Sequence, residues 1–249
     1  RDRYCMRKEG KDMAGRKRKK KRNRYRKHII IWILLLLVTA HFCGGKLQQT
    51  LHKMPGETDW ELIVVNKWNT IPDGYQTELT TLSNGKQVDS RIYPALQDLF
   101  DAMRADGIYP IVREGYRTTT DQQSILDDKI KAYEQEGLSS LLAKKMASEW
   151  VAAPGTSEHQ LGIAVDINAD KTKSTNDEVY TWLAEHAWEY GFILRYPKNA
   201  EAVTEITYEP WHWRYVGPEN AALIQQSGLC FEDAVAVLQK LAAGEKITG

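Results

Sequence analysis

Ser157-Glu-His159-Gln-Leu-Gly162-Ile-Ala-Val-Asp166 is the stretch on which the reading of this chain turns. From Gly162 to Asn168 the residues alternate as a strand does, with Ile163, Val165 and Ile167 on one face and Gly162, Ala164, Asp166 and Asn168 on the other. Asp166 therefore points away from the apolar side, and His159 precedes it at the mouth of a loop. Gly162 is expected where a side chain would crowd whatever the two hold. Well downstream, Glu209-Pro-Trp-His212 leads into a second strand over 211–216, on which Trp211 and Trp213 are expected on the face opposite His212, in the core.

Two imidazoles and a carboxylate form the ligand set of a hydrolytic zinc site, with a fourth position left for water. Glu209, three residues before His212, is close enough to work on that water rather than to bind the metal. The spacing differs from H-E-x-x-H, in which both histidines sit one helical turn apart. A lone histidine is more often a satisfied core residue than a ligand. Here, of only six histidines (28, 41, 52, 159, 186 and 212), two stand in motifs beside acids and tryptophans, which favours a metal site.

Outward from these motifs the pattern is α+β: a small, mainly antiparallel sheet with flanking helices. Leu96, Leu99, Phe100 and Met103 recur at helical spacing within 92–106. Thr118–Thr120 and Asp121 cap a helix over 121–136, closed by Gly137. Further helices are expected over 139–150, 177–190, 219–226 and 231–241, and strands over 62–65, 109–113 and 192–196. Strands and helices do not alternate regularly, and no internal repeat is present.

The formal net charge of +1 hides two opposite parts. Residues 1–28 carry 15 Lys/Arg against 3 Asp/Glu, about +12, and the remaining 19 basic and 30 acidic residues leave about −11. The basic arm alone would suit nucleic acid, but it runs into the apolar stretch 29–40, Ile-Ile-Ile-Trp-Ile-Leu-Leu-Leu-Leu-Val-Thr-Ala. Basic residues before such a run hold the N-terminus in the cytoplasm while the rest is exported, and the arm then lies on anionic lipid. The run is short for a span, which needs about 20 residues. An uncleaved signal anchor over 29–43 and a signal peptide cut after Ala40 both remain open, and the long basic region favours the anchor. Residues 44–60 read as a polar tether and 61–249 as the globular domain. Met6 and Met13 are candidate starts. Three cysteines, 5, 43 and 230, make no disulfide framework, and Cys230 reads as a buried small hydrophobe.

S-x-H-x-x-G-x-A-x-D followed by E-P-W-H resembles the zinc D,D-carboxypeptidases of VanY type, within the wider group of lysostaphin, D-Ala-D-Ala peptidases and the hedgehog fold. The similarity covers about residues 60–217, including Val88-Asp-Ser-Arg-Ile-Tyr-Pro-Ala-Leu-Gln97, Gly115-Tyr-Arg117-Thr118 and Trp150-Val-Ala-Ala-Pro-Gly-Thr-Ser157. It implies one zinc ion per chain on His159, Asp166 and His212, and Glu209 as catalytic base. It also implies Arg117 as the group that polarises the scissile carbonyl, and Ser157 and Gln122 as substrate contacts. Where the family often has Ser before G-Y-R, this chain has Glu114. That carboxylate either pairs with Arg117 or faces outward, and the outward placement is the expectation.

The implied activity is removal of the terminal D-Ala from peptidoglycan stem peptides, outside the cytoplasmic membrane. L,D-carboxypeptidase action on tetrapeptide stems is the alternative. A non-catalytic, metal-containing module that binds cell wall is a different class, which has no use for Glu209 or Arg117. Nothing in the sequence sets the oligomeric state.

Overall fold

The strand expected after His159 forms over Ala164–Ala169 and takes an inner place in an antiparallel sheet of the computed structural model, which describes residues 60–198 and 200–242. In chain order the strands are β1 (Leu79–Thr81), β2 (Gln87–Asp89), β3 (Pro110–Glu114), β4 (Ala164–Ala169), β5 (Phe192–Leu194) and β6 (His212–Tyr215). The helices are α1 (Tyr93–Ala105), α2 (Thr119–Gln135), α3 (Ser140–Ser148), α4 (Asn176–His186), α5 (Glu201–Thr204), α6 (Pro218–Ser227) and α7 (Phe231–Ala242), with 3-10 turns at Trp60–Leu62, Glu158–Leu161 and Ala187–Tyr190.

The main sheet has the order β3-β4-β6-β5 with every neighbour antiparallel, and β1 and β2 form a separate antiparallel pair. This is the expected α+β architecture. Register sets the chemistry: Val165 lies opposite Trp213, and Asp166 opposite His212. Because strand side chains alternate, one face of the sheet is apolar. Val165, Ile167, Trp213 and Phe192 pack there with Leu96, Leu99 and Met103 of α1 and with Val179 and Leu183 of α4. Asp166, His212 and Arg214 take the other face. A second apolar cluster joins Ile193 and Val216 to α6 and α7 through Ala221, Ile224, Phe231 and Val235.

Capping decides several boundaries. Thr118 and Asp121 form a reciprocal capping box at the start of α2, Thr175 and Glu178 another at α4, and the Ser139 side chain caps α3. The helix expected over 177–190 is two pieces, because the chain tightens after His186 into the turn Ala187–Tyr190 and stops at Gly191 in the left-handed conformation. The pair β1–β2 and the short α5 were not expected.

The strand expected over 62–65 does not form. Ile63 and Val65 pack on the first cluster, Leu62 and Val64 on the second, so the segment is apolar on both sides. Its backbone serves another partner: the carbonyls of Glu61 and Ile63 accept from Arg214 Nη2 at 3.0 and 2.9 Å. Apolar alternation was read correctly there, but a buried guanidinium takes the place of a neighbouring strand.

The basic arm 1–28, the apolar run 29–43 and the tether, apart from Trp60, lie outside the described residues. Among the described residues no single helix is long and apolar enough to cross a membrane. Cys230 is buried beside α7, as expected.

Candidate active site

His159 sits in the turn Glu158–Leu161, which Gly162 ends with φ of +76°. A side chain at 162 would meet the backbone and Cβ of Asp89 at 3.2–3.3 Å, and Asp89 N–H donates to the Gly162 carbonyl at 2.9 Å. Gly162 is therefore required by its backbone conformation and by contact with β2. The expected reason, crowding of the metal, does not apply.

The Gly115-Tyr-Arg117 segment is knitted to the same turn. Arg117 N–H donates to the His159 carbonyl at 3.2 Å, and His159 Nδ1 lies 2.8 Å from the Gly115 carbonyl. A Cβ at Gly115 would come within 2.2 Å of the Gln87 carbonyl oxygen. The contact with Gly115 leaves His159 Nε2 free to face inward, 3.4 Å from Asp166 Oδ1.

Glu209, Pro210, Trp211 and His212 form a turn in which His212 N–H donates to the Glu209 carbonyl at 3.2 Å. The turn lays Glu209 Oε2 3.7 Å from His212 Nδ1, and that nitrogen is 3.2 Å from Asp166 Oδ1. It also corrects the placement of Trp211. Strand alternation starts only at His212, so Trp213 goes to the core while Trp211 lines the cavity beside His212.

All seven predicted residues, Arg117, Gln122, Ser157, His159, Asp166, Glu209 and His212, line one cavity of about 250 Å³. Arg117 Nη2 is 3.7 Å from Asp166 Oδ2, and its Nη1 donates to Gln122 Oε1 at 3.3 Å. Gln122 uses the other end of its amide to donate to the Ala152 carbonyl at 2.7 Å. Both ends of Gln122 are thus engaged with protein, which recasts the expected substrate contact as a support for Arg117. Glu114 does not face outward as expected: it lies 3.0 Å from Lys86 and 3.9 Å from Arg117 Nε. Tyr196, Trp150 and Ile206 also line the cavity, and the Tyr196 ring centroid is 4.9 Å from that of His212. These wall residues carry no motif of their own.

Charge in the cavity is unevenly poised. Burial opposes ionisation of Asp166, but the two imidazoles hold it well below the usual carboxylate range. Burial lowers the pKa of His159. For His212 burial is outweighed by the carboxylates of Asp166 and Glu158, and its pKa rises to about 9. Burial, helped by the Asp166 charge, pushes Glu209 up to about 7.

His159 Nε2, Asp166 Oδ1 and His212 Nδ1 could hold a metal ion. The donor atoms of these three residues lie within 4.8 Å of one another, and Asp166 Oδ1 is buried with no hydrogen-bond partner among the described residues. A buried carboxylate oxygen left in this way signals a missing cation. The donor set, two imidazoles and one carboxylate, is that of zinc hydrolases.

The family model for VanY, D-alanyl-D-alanine carboxypeptidase, matches residues 85–218, more than half of the chain. The chain belongs to the VanY family. A D-alanyl-D-alanine carboxypeptidase of Enterococcus faecalis is 55% identical over 184 residues, which cover 74% of this chain and 69% of that protein. Two solved structures are 56% identical to this VanY-family chain, with a TM-score of 0.70 and 71% of it covered. One is a mutant of the vancomycin resistance D,D-pentapeptidase VanY from a VanB-type resistance cassette in complex with Zn(II), covered over 99% of its length. The other, covered over 98%, is VanYB in complex with D-alanine-D-alanine.

Proposed function

We propose that this VanY-family protein is a zinc-dependent D,D-carboxypeptidase that removes the terminal D-Ala from peptidoglycan stem peptides. The observation that carries the reading is the convergence of His159 Nε2, Asp166 Oδ1 and His212 Nδ1 beside Glu209 and Arg117 in one cavity. The relatives at 55–56% identity are D,D-enzymes by name, and one of them holds D-Ala-D-Ala.

A zinc ion held by His159, Asp166 and His212 supplies a Lewis acid for the scissile carbonyl and lowers the pKa of water toward about 7. Glu209, next to His212 Nδ1 and with its pKa near 7, takes a proton from the attacking water and later delivers it to the leaving amine of D-Ala. Arg117, held by Gln122 and flanked by Asp166 and Glu114, offers fixed positive charge to the oxyanion that develops on the substrate carbonyl. Ser157 lines the same cavity and serves as a substrate contact. At about 250 Å³ the cavity lies below the roughly 300–1,000 Å³ of pockets that engulf a drug-sized ligand, which suits the end of a peptide rather than the whole stem.

Residues 1–28 as a cytoplasmic basic arm, 29–43 as a membrane anchor, 44–60 as a tether and 61–249 as the peptidase domain complete the proposal. It is supported by the charge pattern, which places the catalytic domain outside the cytoplasmic membrane.

The test is release of D-Ala from defined stem peptides, followed by mass spectrometry. A pentapeptide ending in D-Ala-D-Ala should lose one residue, a tetrapeptide none, and a chelator should abolish the reaction. Cleavage of the tetrapeptide alone would make the protein an L,D-carboxypeptidase. Binding of either peptide without turnover would make it a recognition module.

A further inference from the structure

Glu158, next to His159 in the motif, takes no part in the steps above, yet its side chain is wholly buried. Its Oε1 accepts from Arg195 Nε at 2.7 Å and lies 2.9 Å from Arg214 Nη1. Arg195 is tied in turn to Glu232 of α7, with Nη1 donating to Oε2 at 2.8 Å. Two arginines therefore offset the charge of Glu158 while engaging only one of its oxygens.

The other oxygen, Oε2, faces His212 Nε2 at 3.8 Å. Both atoms are buried, and neither has a hydrogen-bond partner among the described residues. Two facing orphans of this kind are costly unless they serve each other. On its opposite edge His212 turns Nδ1 toward Asp166 and Glu209. His159 has the matching arrangement, with a carbonyl at Nδ1 and Nε2 turned inward.

We propose that Glu158 is a positioning residue for the metal site: its Oε2 accepts the Nε2 proton of His212, and this fixes the tautomer whose Nδ1 lone pair points at zinc. The proposal rests on His159, Asp166 and His212 being the zinc site. The 3.8 Å gap exceeds a hydrogen bond, and it closes when His212 becomes a neutral ligand. A carboxylate behind a ligating histidine sets ring orientation and basicity, and its loss costs about 10–100-fold in metal affinity or activity.

The test uses the full chain. With ¹⁵N-labelled histidine and zinc bound, His212 should carry its proton on Nε2, in a downfield resonance that exchanges slowly with solvent. Glu158→Gln should weaken zinc binding by about 10–100-fold in competition with a chromophoric chelator, and the spectrum of bound cobalt should change. Glu232→Gln, which disturbs the same network on the far side of Arg195, should lower thermal stability and leave zinc affinity unchanged. A His212 proton on Nδ1, or equal loss of zinc affinity in both variants, would overturn the role of Glu158 and leave the zinc site standing. A chain that takes up no zinc would bring down both. If Glu158→Gln does not fold, the wild-type spectrum decides.

Discussion

Glu209 Oε2 lies 3.7 Å from His212 Nδ1, and the turn through Pro210 and Trp211 puts it there. Three residues of separation along an extended strand would carry the two side chains about 10 Å apart and to opposite faces. Folding the backbone back on itself brings the carboxylate alongside the nitrogen that faces Asp166.

Glu209→Gln keeps the shape of the side chain and removes its basicity. Zinc content, fold and substrate binding should persist, while kcat falls by on the order of 10²–10⁴-fold. Loss of zinc in this variant would make Glu209 a ligand, and near-normal turnover would remove it from the mechanism.

Arg117→Ala should retain zinc and lower kcat/KM by roughly 10²–10³-fold, the usual cost of an oxyanion donor. Arg117→Lys should recover only part of the loss, because a point charge cannot both meet Gln122 and reach the substrate as the planar fork does. Full recovery by lysine would mean that charge alone matters at this position.

Metal analysis of the full chain should find about one zinc per molecule. His159→Ala, Asp166→Ala and His212→Ala should each lower it sharply. Activity that survives exhaustive chelation would sink the mechanism.

Gly115→Ala should lower stability by about 1–3 kcal/mol, since the new methyl group must push the Gln87 carbonyl away. Because the same peptide carries the carbonyl that meets His159 Nδ1, zinc affinity should fall with it. Denaturant melts with and without zinc would show both effects, and an unchanged melt would mean that β2 gives way freely.

Asp89 links pH to stability. Burial works against its carboxylate, but hydrogen bonds from Arg91 overcome this and hold its pKa below the ordinary value. A depressed carboxylate stabilises the fold above its unfolded pKa of about 3.9, and that contribution is lost as pH falls through the folded value. Asp89→Asn should therefore be less stable than wild type at pH 7, by about 1.5–3 kcal/mol for hydrogen bonds to a charged group. The gap should narrow below about pH 4, and a gap that stays constant from pH 7 to pH 3 would rule the linkage out.

Much of the fold was legible because its signals are local. The apolar spacing of Leu96, Leu99 and Met103 marked α1, the Thr118–Asp121 box marked the start of α2, and alternation around Asp166 marked β4. The chemistry-bearing side chains were legible for a related reason: a donor atom must belong to a particular residue type, and His159, Asp166, Glu209 and His212 stand in short, fixed spacings. What the sequence by itself determined, then, was the inventory of elements and the identity of the groups that could act.

Tertiary structure alone decided how those groups meet. Antiparallel register sets Asp166 opposite His212, although 46 positions separate them in the chain. The turn at Pro210 sends Trp211 to the cavity, where alternation had put it in the core. Gln122 and Glu114 look like free polar groups in sequence and become supports of Arg117 only because α2, β3 and the loop at Ala152 converge. Leu62–Val65 has the composition of a strand, yet its carbonyls turn to Arg214, more than 150 residues away. The physical reason is the same in each case. Local pattern reports what a residue prefers within a few neighbours, whereas a buried hydrogen bond or ion pair goes to whichever partner the packed chain brings within about 3 Å.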